Sequence, residues 1–353
     1  MAQTSEKISN NLIHEAKKAR SAPDRVLIVG RQWLKKELVP EAPFLKKSKI
    51  LSSFRVFVSC LASKESSLIL EAHGPPRNTF YGRVLEPVYL FFLNWLLVLS
   101  RCELIVIDGE DSRLIHHRDR RILALCDVYF KRELASDFWG SVENLWGPMS
   151  TGHYRRQKKY RDLVGKLRPI SLGLLSVSEK DFSANPDLEK DIDLFAAMTV
   201  KMNPIRKEML DWAKELKAEG LRVFISDERV EFEEYKKLLL RSRYVLSPSG
   251  YGWDCYRHYE AALSGAIPIA DPAFILQRTN APFIFLCITV DGLRSIITQT
   301  AEEEERIMKA NFEVVRKFHT QENFLEVLLG IADSSGSCLS GLPIDFTKSE
   351  YAQ

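Results

Sequence analysis

The chain has little that would tie it to a disulfide framework, a metal site or a membrane span. Its six cysteines (Cys60, Cys102, Cys126, Cys255, Cys287 and Cys338) are scattered, with no CxxC pair and no Cys/His metal spacing. That excludes a small disulfide-held scaffold and fits thiols kept reduced in the cytoplasm, several of them in apolar strand-like runs. Long apolar runs are also missing. VYLFFLNWLLVL, at residues 88–99, falls well short of the roughly 20 residues a membrane span needs. It reads as a buried helix, or else as one that dips into a bilayer surface. The opening MAQTSEKISNNLIHEAKKAR is polar and charged, unlike a secretory signal. GxGxxG, P-loop, HExxH and GxSxG motifs are absent, and no repeat of fixed period is present. A metal is therefore not expected. The acidic pair Asp191 and Asp193 has the DxD spacing of some metal sites, but it sits in an apolar strand-like run whose alternate residues share a face.

What the chain does have is room for two cores. At 353 residues, two domains of roughly 150–180 residues are the natural expectation. The net charge of +3 hides an asymmetry: residues 1–180 carry 30 Lys+Arg against 19 Asp+Glu, and residues 181–353 carry 20 against 28. A basic first half suits an anionic partner such as a lipid-headgroup surface or a phosphorylated acceptor, although solvated surface charge is the plainer account. The basic run HYRRQKKYRD at 153–162 matches no nucleic-acid-binding module, and no nucleic-acid partner is expected.

Strands alternate with helices throughout, which predicts parallel sheets. Strand signals fall at 25–30, 50–61, 67–71, 103–107 and 127–130 in the first half, and at 191–197, 221–226, 244–246, 266–270 and 283–288 in the second. Helices are predicted at 204–219, 232–241, 292–318 and 322–332. The organisation expected is a polar helical lead-in (1–24), a first α/β domain (25–167), a second with closing helices (168–333) and a flexible tail (334–353). Two doubly wound domains facing each other leave a cleft at the carboxyl ends of their strands, and candidate residues should sit just after strands.

The most informative stretch is RSRYVLSPSGYGWDCYRHYEAALSGAIPIADP, residues 241–272. A strand runs into a small-residue loop holding Ser249, Gly250 and Tyr251, and a short helix then carries Arg257 and Glu260. Such a loop at a helix N-terminus suits an anion, because free amides and the helix dipole converge there. Arg257 adds a charge-assisted donor, and Glu260 offers two acceptors to a ribose diol. The alternative is an ordinary crossover with Arg257 and Glu260 as a surface ion pair. Earlier in the same half, TVKMNPIR at 199–206 follows a strand and opens a helix. There Lys201, Asn203 and Arg206 could hold phosphate oxygens, or Asn203 could simply cap the helix. Asp227 and Glu228 follow the next strand and could face a base or ribose, although a solvated turn is the favoured reading.

In the first half, Asp108, Glu110 and Asp111 cluster after a strand, and any one could be a general base. His73, in a Gly-Pro turn, is the other candidate. Lys131 and Arg132 could contact an acceptor or the second domain.

The run YKKLLLRSRYVLSPSGYGWDCYRHYEAALSGAIPIADP, residues 235–272, resembles the exostosin-like group of GT-B glycosyltransferases and its bacterial relatives. CDVYFKRE (126–133), RPISLGL (168–174) and KDIDLFAAMTVKMNPIRKEML (190–210) support the likeness; residues 1–125 share only the architecture. The resemblance implies an α/β fold of two Rossmann-like, doubly wound domains facing across a cleft. It also implies a nucleotide-sugar donor held by the second domain and a sugar passed to an acceptor hydroxyl. Arg257 would then contact the diphosphate and Glu260 the ribose. Ser249 and Gly250 would lie against the phosphates, with Arg206 nearby. Positive side chains and a helix N-terminus would stabilise the leaving diphosphate without a metal cofactor. A glycan or lipid-linked acceptor, surface polysaccharide assembly and a cytoplasmic enzyme touching an anionic membrane would fit. The chain departs from the pattern at Met198, where relatives often have glycine; a side chain there narrows the phosphate approach. A nucleotide-sugar epimerase and a non-catalytic nucleotide-binding scaffold are the alternatives.

Overall fold

The computed structural model describes residues 26–31, 44–45, 67–71, 91, 103–115, 119–135, 138–142, 161–182, 189–201, 203–271, 285–286, 289–324 and 326–328. The lead-in, the tail, the strand predicted at 50–61 and the basic run up to residue 160 lie outside the described residues, as does His73. Of the apolar run at 88–99 only Phe91 is described, as a helical, exposed residue.

The first sheet holds β1 (Val26–Arg31), β2 (Phe44–Leu45), β3 (Ser67–Glu71), β4 (Glu103–Asp108), β5 (Val128–Lys131) and β6 (Leu167–Pro169), in the order β2-β3-β1-β4-β5-β6. Every pairing is parallel. Helices α1 (Asp119–Leu125), α2 (Trp139–Val142) and α3 (Arg161–Gly165) accompany it, while α4 (Leu172–Ser176) packs with the second unit. The β4–β5 register sets Asp108 beside Lys131 at the carboxyl edge.

The second sheet holds β7 (Ile192–Ala197), β8 (Val223–Ser226), β9 (Ser242–Leu246), β10 (Ile267–Ala270) and β11 (Phe285–Leu286), all parallel, in the order β11-β10-β9-β7-β8. Leu194, Ala196 and Met198 pack on one face with Met209, Leu210, Ala213 and Leu216 of α5 (Pro204–Ala218). Phe195 and Ala197 pack on the other with Leu238 and Leu239 of α6 (Phe232–Leu240) and Tyr259 of α7 (Tyr256–Leu263). That period of two, with apolar residues on both faces, is what a sheet covered by helices on both sides requires. Because β8 and β9 leave β7 in opposite directions, the sheet has its switch point between the carboxyl ends of β7 and β9. Ligands of open α/β sheets bind at such points.

The helix starts follow capping chemistry. Asn203 accepts from the Ile205 amide (3.2 Å), with Pro204 in the first turn. The helix expected over 292–318 is two helices, α8 (Val290–Ile297) and α9 (Ala301–Phe318). The reason is the Thr-Gln-Thr between them. Thr298 bonds back to the Arg294 and Ser295 carbonyls, and Thr300 caps α9 by accepting from the Glu303 amide.

Candidate functional site

A cavity of about 490 Å³ opens at the switch point, within the roughly 300–1,000 Å³ of small-molecule sites. Ala197, Met198 and Thr199 after β7 form part of its wall, as do Pro248, Gly250 and Tyr251 after β9 and Arg257 and Glu260 on α7. Asp111 and Arg132, which follow β4 and β5 of the first sheet, close it from the other unit. The two doubly wound sheets thus enclose one site between them.

Arg206 reaches this wall from α5. Its Nε donates to the Ser249 carbonyl (2.8 Å) and its Nη1 to the Thr199 carbonyl (3.4 Å). Arg257 donates from Nη1 to the Leu246 carbonyl (3.4 Å), while its Nε is buried with no hydrogen-bond partner among the described residues. A buried donor of that kind is satisfied by an incoming acceptor. Burial makes the Arg206 cation harder to keep, and Arg257 adds repulsion. Two guanidiniums held close in this way favour a bound anion. Glu260 takes the Tyr235 hydroxyl on Oε2 (2.6 Å). Its carboxyl is raised by burial, against which the Tyr235 hydrogen bond and Arg257 favour the ionised form.

The other sequence-predicted residues divide by position. Tyr251 is 75% exposed at the cavity wall, and Gly250 lies close under Arg206. Asn203 caps α5, with its Nδ2 3.5 Å from the Gly250 carbonyl. Lys201 is exposed and not part of the wall. Ser249 is buried and turned away: its amide and hydroxyl both donate to Asp271 (2.7 and 2.6 Å). Asp108 is 1% exposed and fully engaged, accepting from Tyr129 Oη (2.7 Å) and the Glu110 amide (3.0 Å) beside Lys131 Nζ (3.3 Å). Glu110 lies outside the wall, where its carbonyl accepts from Lys131 Nζ (3.1 Å). Asp111 is exposed on the wall, ion-paired with Arg132. The DxD carboxylates are both taken by arginines, Asp191 by Arg241 and Asp193 by Arg222 and Arg243.

Apart from Arg132, the residues that build the loop were not legible in advance. Arg132 Nη1 donates to the Asp254 carbonyl (2.9 Å), the contact to the second unit that its place after a strand allowed. Glu133, 2% exposed, accepts from the Trp253 and Asp254 amides (3.2 and 2.9 Å). Gly252 is a glycine because a Cβ there would run into this carboxylate. Asp254 accepts from the Leu172 amide at the start of α4 (2.6 Å) and from Tyr259 Oη (2.5 Å). Asp271, at the end of β10, ties both ends of the loop: it holds Ser249, and its carbonyl accepts from Trp253 Nε1 (2.6 Å). No local pattern marks these partners, which are far apart in the chain.

No protein-family model matches the chain, and no curated protein matches it. Among solved structures it is similar to HepE of Anabaena in complex with UDP, at 12% identity and a TM-score of 0.45, over 90% of this chain and 100% of that one. It is also similar to the sucrose-phosphate synthase of Thermosynechococcus elongatus, at 11% identity and a TM-score of 0.40, over 87% and 97%. A third is the UDP-GlcNAc 2-epimerase of Neisseria meningitidis bound to UDP-GlcNAc, at 12% identity and a TM-score of 0.39, over 87% and 100%. Likeness at this level does not say what this chain binds; the residues of its own site have to carry that reading. Among the described residues no helix is long and apolar enough to cross a membrane.

Proposed function

We propose that this chain is a glycosyltransferase that moves a sugar from a nucleotide-sugar donor to an acceptor hydroxyl. One observation carries the reading: Arg206, Arg257 and Glu260 converge on one cavity at the switch point of the second sheet. That places two cations and a carboxylate where a ligand with both a diphosphate and a diol would use all three. The guanidiniums and the N-terminal end of α7 would take up the charge of the leaving diphosphate. The reading gives no role to a metal.

For transfer with inversion an acceptor hydroxyl must lose its proton to a base. Asp111 suits that role best of the described candidates, because it is exposed on the cavity wall whereas Asp108 is enclosed by its own partners. Arg132 ion-pairs with it and fixes its place on the wall. A glycan or lipid-linked acceptor entering from the first unit, and peripheral contact with an anionic membrane, extend the proposal. The exostosin-like likeness of residues 235–272 supports it in the second unit alone.

The test is a thermal-shift panel of nucleoside diphosphates and nucleotide sugars, followed by product analysis with and without acceptor. A donor that raises the melting temperature and loses its sugar only when acceptor is present is the expected result. Isomerised donor in the absence of acceptor means an epimerase instead. Stabilisation with no turnover under any condition means a binding scaffold.

A further inference from the structure

Among the described residues Tyr235 is the one tyrosine whose hydroxyl meets Glu260, and its ring is packed in place. It lies near the start of α6, with its ring packed edge-on against Phe195 of β7 at 5.7 Å between centroids. Its hydroxyl donates to Glu260 Oε2 at 2.6 Å. Among the described residues Glu260 Oε1 has no hydrogen-bond partner, and it is not buried away from the cavity that Glu260, Tyr235 and Arg257 line together. A glutamate alone can swivel about its last torsion, which is broad. Tied at Oε2 to a hydroxyl that is itself fixed by packing, this one cannot. Its second oxygen is left as an acceptor at a set place and angle.

We propose that Tyr235 is a positioning residue that makes Glu260 select the ribose of the donor, so that the site takes ribonucleoside diphosphates in preference to their 2′-deoxy counterparts. This rests on the donor-site reading above. A ribose 2′-hydroxyl can fill a fixed acceptor. A 2′-deoxyribose leaves that acceptor without its hydroxyl, which a site built to bond a hydroxyl penalises. Arg257, one helical turn before Glu260, keeps its own task on the diphosphate but also interacts with the Tyr235 hydroxyl and Glu260, so diphosphate affinity is read in every variant.

The experiment measures the affinity of UDP, GDP and ADP and of their 2′-deoxy counterparts for the wild type, Tyr235→Phe and Glu260→Asp, with melting temperatures read alongside. Tyr235→Phe keeps the ring and its Phe195 contact. Glu260→Asp withdraws the carboxylate from the cavity and from the Tyr235 hydroxyl together. The wild type is expected to favour its ribonucleotide by about tenfold or more. Both variants should lose most of that preference, while their affinity for the deoxynucleotide moves less than about threefold. A wild type that binds none of the nucleotides overturns the donor-site reading and this inference with it. A wild type that binds a nucleotide but does not discriminate overturns only the inference. So does a folded Tyr235→Phe or Glu260→Asp that discriminates as well as the wild type.

Discussion

Asp254→Asn is the sharpest test of how the loop is held. Asp254 is 2% exposed, and its two oxygens accept from the Leu172 amide and Tyr259 Oη. Burial pushes its carboxyl from 3.8 up to about 7, with Arg132 pulling down and Glu133 pushing up. Between those two values the folded protein holds a proton that the unfolded chain has released. Its contribution to stability therefore falls as pH rises through that window. At about 1.4 kcal/mol per pKa unit, the loss is on the order of 4 kcal/mol by the time the window is passed. The wild type alone would hide this. His258 is lowered by burial from 6.5 to about 4, so the unfolded chain binds the extra proton there, and stability falls as pH drops through that range. The two slopes oppose each other from about pH 4 to 6.5.

The difference between variant and wild type removes the His258 slope. Asparagine keeps the shape: its oxygen can take the Leu172 amide while its NH2 donates to the tyrosine oxygen. Urea unfolding of both proteins at intervals from pH 4.5 to 8 gives the difference in stability. It should shift in favour of Asp254→Asn as pH rises, by about 3 kcal/mol over that range, since the first part of the window lies below pH 4.5. A difference that stays constant within about 0.5 kcal/mol, the usual error of additivity, means that Asp254 is ionised throughout. The buried-acid account of the loop would then be wrong.

Gly252→Ala should destabilise by about 1–3 kcal/mol, the usual cost of overpacking, because its Cβ meets Glu133; a chemical-denaturation midpoint reads it, and combining it with Glu133→Ala should cost less than the two singly added together. Arg257→Ala and Arg206→Ala should each weaken nucleoside diphosphate binding by about 10- to 100-fold, as for a hydrogen bond to a charged group, measured by calorimetry. Asp111→Asn should lower kcat by about 10²–10⁴ if it is the base, and it should also lower the melting temperature, because it takes the ion-pair partner of the buried Arg132. Asp108→Asn should instead act on folding, costing about 3–5 kcal/mol, since it strips the buried Lys131 of its partner.

Local patterns were the readable part of this chain. The alternation of strand and helix, the cap at Asn203 and the three-residue spacing of Arg257 and Glu260 all depend on neighbours in sequence. Arg257 and Glu260 share a helix face wherever that helix is packed. Ser249 shows the limit. Its place in a small-residue loop at the switch point fits phosphate, but Asp271, 22 residues on, takes both its donors. Asp108 shows the same limit in the first unit. A carboxylate after a strand reads as a candidate base, yet the register of β4 with β5 sets it against Lys131. Tyr235, Glu133 and Asp254 matter through partners 25, 120 and 82 residues away, and no periodicity announces such pairs. The break between α8 and α9 was present in the residues, as a Thr-x-x-Glu capping pattern inside a run that is otherwise helical throughout.

The loop between β9 and α7 also divides its electrostatic work in a way the glycine pattern obscures. Two of its amides, at Trp253 and Asp254, are occupied by Glu133 of the first unit. An anion in the cavity therefore cannot be held by those amides while Glu133 stays in place. Arg132 is likewise committed, to Asp111 and to the Asp254 carbonyl. Among the charged side chains that face the cavity are the Arg206–Arg257 pair and Glu260, with Glu228 and Arg229 on the same wall. A simple anion satisfies the guanidiniums and meets repulsion from Glu260. A ligand that joins a diphosphate to hydroxyl donors satisfies all three. The glycines thus serve the seam between the two units as much as the ligand, and discrimination passes to charged side chains of the wall, Arg206, Arg257 and Glu260 among them. It follows that inorganic pyrophosphate should bind more weakly than the matching nucleoside diphosphate, and that Glu260→Gln should narrow that gap from both sides, by easing the repulsion and by weakening the diol contact.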